Sequence, residues 1–136
     1  MPSSPSGYDR HFLLPISQDR CRIALGFDVE AGTVQRFLVQ LQWQSPPPIS
    51  IEQVARIDHN PGNTLGHDVR AEGIHVDVVL SEGGEVTMFP AQPAPALWTN
   101  LGRVIDLSTQ YLEDNAAYFL DVRSGAVDPR DPPSWP

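Results

Sequence analysis

Apolar and polar residues alternate through much of the first two-thirds of the chain, and the alternation predicts strands. Over residues 20–30, Ile23, Leu25, Phe27 and Val29 point one way while Arg22, Ala24, Gly26 and Asp28 point the other. Period two marks a half-buried strand. Ala31-Gly32-Thr33 supplies a turn, and residues 34–44 alternate again, with Phe37, Val39, Leu41 and Trp43 on one face and Gln40 and Gln42 on the other. The two runs predict a β-hairpin. Residues 8–16 hold a short apolar run that stops at Pro15, which suits an edge strand because proline cannot donate to a ladder. Residues 49–58 are a further strand, although 51–56 also permit a helical turn. Residues 74–80 alternate with Ile74, Val76, Val78 and Leu80 toward the core, 81–84 (SEGG) turn the chain, and 85–89 return.

The period changes after the stiff connector 90–95, PAQPAP. Leu97, Leu101, Ile105, Leu112, Ala116, Phe119 and Leu120 recur at helical spacing, with Ser108 on the same stripe. Pro95 suits the first turn of a helix, and Gly125 is a stop after Arg123. A break near Asn115, with 118–122 as a short strand, is the alternative. The sum is α+β: an antiparallel sheet of about five strands, including two hairpins, packed by one long C-terminal helix. Residues 1–136 form a single domain with disordered or extended ends at about 1–7 and 126–136, where only Trp135 of the proline-rich tail has packing potential.

Charge narrows the functional classes. The net charge is −8, and all nine basic residues are arginine. Few cations are left to neutralise phosphates, so binding to duplex DNA is not expected. A local arginine site for one phosphate is compatible, and an acidic surface suits a basic protein partner. No stretch approaches the ~20 apolar residues of a membrane span, and no apolar run at the N-terminus resembles a signal peptide. The expected location is the bacterial cytoplasm. The lone Cys21 sits in an alternating apolar run and reads as a buried thiol.

Candidate chemistry concentrates in residues 54–79, which hold three of the four histidines. Arg56 and Asp58 stand two apart on one strand, and His75 and Asp77 do the same on a later one. If the strands are neighbours, these four side chains gather on one surface. The turn-rich loop 60–68 then carries His59, His67 and Asp68 to its rim, with Arg70 beyond as a further binding residue. Three readings fit. One is metal-free acid/base cleavage of RNA, in which one histidine takes the 2′-hydroxyl proton, another protonates the leaving oxygen, and Arg56 or Arg70 stabilises the phosphorane. A second is a divalent-metal site from His59, His67, His75 and Asp77. Its spacing matches no zinc pattern, since there is no HExxH and no cysteine pair, so no metal or cofactor is expected. The third is structural: turn-capping Asp and Asn, loop histidines, and a solvated strand face.

The segment 55–78, ARIDHNPGNTLGHDVRAEGIHVDV, resembles the core of small bacterial toxins of the TumE type, from toxin–antitoxin pairs. Arg56, Asp58 and His59 match their Arg-hydrophobic-Asp strand end, and His67 and His75 match the later histidines. Asp68 stands where that pattern has a second histidine. The resemblance implies a growth-inhibiting protein controlled by a cognate partner and acting on RNA. The alternative is a non-catalytic interaction module, suggested by the acidic balance and the incomplete catalytic signature. A homodimer is compatible with either.

Overall fold

The computed structural model describes residues 7–61, 68–69, 73–90, 100–129 and 132–136. Among them, six strands form one antiparallel sheet in chain order: β1 (Arg10–Pro15), β2 (Cys21–Glu30), β3 (Thr33–Gln44), β4 (Ile51–His59), β5 (Val76–Val79) and β6 (Glu85–Met88). Two helices follow, α1 (Leu101–Asp114) and α2 (Ala116–Ser124). The class is α+β, as the alternation predicts. The strands number six rather than about five, because Arg10–Pro15 pairs with β2 along its whole length.

The helical stripe is also in two pieces rather than one. Asn115 leaves helical geometry at φ −116 and ψ 20, and both its backbone N–H and its side-chain amide donate to the Tyr111 carbonyl. The chain resumes as helix, not as strand. Asn100 opens α1 by accepting the Arg103 N–H at 3.1 Å, and the stretch 91–99, which includes Pro95 and Leu97, lies outside the described residues. Gly125 closes α2 in the left-handed region (φ 81), with the Ala126 N–H reaching back to Asp121.

The central hairpin pairs as its alternation requires: Ile23 faces Leu41, Leu25 faces Val39, and Phe27 faces Phe37. Ala31 and Gly32, both at positive φ, make its two-residue turn. One face of the sheet, with Ile23, Phe37, Val39, Leu41, Ile57, Val76 and Val78, is sealed by Val104, Tyr111, Leu112 and Phe119 of the helices. Each such side chain contributes about 1.5–3 kcal/mol on burial. The chain's end joins this core. The Tyr111 hydroxyl donates to the Pro133 carbonyl at 2.6 Å, and Trp135 is buried against the Tyr111 ring. Cys21 is buried, and burial, followed by the charge of Asp19, pushes its thiol pKa up. The thiol therefore stays protonated and unreactive at neutral pH.

The helices pack on β2 through β5. The outermost strand β1 is left exposed at every residue, including Phe12 (48%), Leu13 (58%) and Leu14 (37%). No described helix is long and apolar enough to cross a membrane.

Candidate functional site

β4 and β5 are neighbours, and Arg56 stands directly opposite Asp77. The sequence-based gathering of Arg56, Asp58, His75 and Asp77 on one surface follows from this register, because each pair shares strand parity. That surface is the sheet face away from the helices. It is not a solvated face: Asp77 is 3% exposed and His75 is 6% exposed, against the rim of Phe89.

Arg56 is the hub. Its guanidinium lies 3.3 Å from Asp77 and grips Glu85 with two hydrogen bonds of 2.8 and 3.1 Å. Burial works against its charge, but the Glu85 hydrogen bond and the charges of Asp77, Glu85 and Asp58 outweigh it and raise its pKa further. The Thr87 hydroxyl donates to Asp77 at 2.6 Å. Thr87 and Glu85 were not singled out from the sequence. Their signal was there, since the 81–84 turn sets Thr87 opposite Asp77.

The network extends across the same face. Arg22 donates to Gln42 at 2.7 Å, Gln42 to Gln40 at 2.5 Å, and Gln40 to Gln53. A bulge between Leu41 and Gln42 lets β4 accommodate Val54 as an extra residue and keeps Gln53 on this face. At the β2–β3 end, the segment 7–9 lies against the sheet. The Asp9 N–H donates to Asp28 at 2.7 Å, Arg36 pairs with Asp28 and donates to the Gly7 carbonyl at 3.1 Å, and Arg36 stacks 4.1 Å above the Tyr8 ring. Burial, opposed by Arg36 and aided by the charges of Asp58 and Asp28, pushes the Tyr8 hydroxyl pKa up.

His59 departs from the expected cluster. It is one residue past Asp58, so its side chain enters the opposite, helix-covered face, where it is fully buried and stacks on Phe37 at 5.8 Å. Its Nδ1 accepts the Val69 N–H at 3.0 Å, which ties Val69 to the end of β4, while 62–67 of the expected turn-rich loop lie outside the described residues. Asp68 lies 3.7 Å from the same nitrogen, but that nitrogen is already an acceptor. The Val69 N–H is the nearer of the two contacts at that nitrogen. His67 and Arg70 lie outside the described residues. Among the described residues no three of His, Cys, Asp and Glu converge to hold a metal ion.

The second unforeseen feature is Arg123 of α2. Below the Ala55–Val78 pair the β4–β5 ladder stops, and a cleft of about 610 Å³ opens, lined by Glu52, Gln53, Ser81, Glu85 and Arg123. Arg123 spans this gap. It donates to the carbonyls of Val79 (2.7 Å) and Gln53 (3.4 Å) and to Glu52 (2.5 Å), so it satisfies backbone groups that the missing ladder would leave open.

A family model for a domain of unknown function, DUF7718, matches residues 7–121. The chain belongs to that family. The match takes in all six strands, the polar face and α1, and it ends within α2, two residues short of Arg123. No curated protein and no solved structure matches the chain.

Proposed function

We propose that this DUF7718 chain is a non-catalytic protein-interaction module, and that it works through the exposed β1 edge of its sheet. The carrying observation is β1: three consecutive large apolar side chains, 37–58% exposed, on a strand whose outer hydrogen-bonding groups face away from the sheet. Soluble proteins protect such edges with charge, proline or bulges, and β1 carries none of these between Phe12 and Leu14.

The polar face supports the same reading from the other side. A general acid or base has to come within about 3 Å of the proton it moves. His59 is fully buried and His75 is 6% exposed. Arg56, one of the two arginines expected to stabilise a phosphorane, already faces Asp77 and Glu85, and the other, Arg70, lies outside the described residues. This is a network that holds β4, β5 and β6 in register.

The test compares the two regions in one experiment. Association, either with itself or with the co-expressed product of the neighbouring reading frame, is followed by sedimentation and co-purification. Phe12→Lys and Leu13→Lys abolish it, while Arg56→Gln and His75→Gln leave it in place. Growth arrest with RNA cleavage that disappears in Arg56→Gln or His75→Gln would overturn this reading in favour of the RNA-cleaving one.

A further inference from the structure

We infer that the occupant of the β1 edge is β1 of a second copy of this chain, paired antiparallel about a two-fold axis at Leu13, so that two sheets become one continuous sheet. This rests on the reading of β1 as an interface and goes beyond it by naming the partner.

Geometry selects the pairing. β1 ends the sheet, while the other edge, β6, is only four residues long and carries Glu85, which is held by Arg56. With Leu13 facing Leu13, each Phe12 meets the other copy's Leu14 on the helix-side face, and each His11 falls opposite Pro15. The central three residues, Phe12 to Leu14, are thus apolar against apolar when the strand is read against itself. Phe12 already stacks on Phe27 at 6.1 Å, and with half-buried Leu25 behind it the apolar strip extends inward from the edge in both copies.

Charge selects the same place. Two chains of net charge −8 repel each other over most of their surfaces. Residues 10–16, RHFLLPI, contain no acid. In the two-fold arrangement the two Arg10 side chains sit six residues apart along the seam, roughly 20 Å at strand rise. That exceeds the screening length of ~8–10 Å at ordinary ionic strength. Residual repulsion between the bodies remains, so association tightens as salt is raised, the reverse of an ion-pair interface. A single strand pair is small beside the ~800 Å² per partner of a standard interface, so the dimer belongs with weak, transient assemblies.

The experiment uses the full chain. Sedimentation velocity from about 1 to 200 µM, around the range expected for a small interface, shows a monomer–dimer equilibrium that tightens with added NaCl. Leu13→Lys weakens it about 100-fold, because two ammonium groups then meet at the axis. Circular dichroism shows the variant folded, as the exposure of Leu13 requires. Leu13→Cys, oxidised with copper phenanthroline, forms a disulfide dimer, since facing Cα atoms in a ladder lie about 4.5–5.5 Å apart, within disulfide reach. Gln35→Cys, exposed near the β2–β3 turn, does not. If the wild type is monomeric while Phe12→Lys and Leu13→Lys lose a co-expressed partner, self-pairing is overturned and the interface reading stands. A dimer that ignores Leu13→Lys also overturns self-pairing at β1. A monomer that binds no partner overturns both.

Discussion

On β4, Arg56 and His59 stand three residues apart and enter opposite environments. Arg56 points to the polar face, among Asp77, Glu85 and Gln40, and keeps its charge because carboxylates surround it. His59 points to the helix-covered face and acts as a core residue, stacked on Phe37 and hydrogen-bonded to the backbone of Val69. Both are polar and both lie within two residues of Asp58, so composition does not separate them. Strand parity does. A polar side chain in this fold is therefore read by the face it enters before it is read by its chemistry.

Substitutions on the two faces sharpen that contrast. His59→Ala removes a packed ring from the core and leaves the Val69 N–H without its acceptor. It is expected to lower stability by about 3 kcal/mol, read as a shift of the urea midpoint with an unchanged slope. A shift below about 0.5 kcal/mol would place His59 at the surface and dissolve the contrast. Arg56→Gln breaks a pair whose side chains are 16% (Arg56) and 5% (Asp77) exposed, and should cost about 2 kcal/mol, less than a fully buried pair. In a double-mutant cycle Asp77→Asn should recover part of that loss, with a coupling of about 1 kcal/mol. Additivity of the two substitutions would show that the pairing contributes nothing to the register.

The smallest effect is at the far end of the polar face. Burial raises the Asp28 carboxyl pKa, but the Asp9 N–H and the Arg36 guanidinium outweigh it and hold the pKa below its usual value. A depressed carboxyl pKa contributes stability that is present above the unfolded value of about 3.9 and lost as pH falls through the folded value. Between neutral pH and about 4.5 this contribution should therefore be constant, and it should fade only below about 4. Acid titrations of the wild type and Asp28→Asn should converge there. A difference that fades above pH 5 would mean that Asp28 is not clasped.

Local pattern carried much of this fold. The central hairpin, the turn at 81–84 and the Gly125 stop all follow from alternation or from residues suited to positive φ. So does the gathering of Arg56, Asp58, His75 and Asp77, because residues two apart on a strand share a face. The helix break was legible only as an alternative, since Asn115 is compatible with a continuous helix until its side chain finds the Tyr111 carbonyl. Arg123 was legible only as a residue near a helix end. Its partners on Gln53 and Val79 are some 70 and 44 residues away in sequence, and no local signal announces them.

Taken alone, the amino-acid sequence determined the strand and helix periods, the acidic balance and the polar pairs that share a face, because each depends on neighbours within a few residues. Tertiary structure decided which face became the core, and with it that His59 is sealed and Arg56 neutralised. It also decided that the helices stop short of β1, which leaves Phe12, Leu13 and Leu14 exposed at the sheet's edge. Those outcomes depend on where α1 and α2 land, and so on the sum of long-range burial rather than on any single stretch of chain.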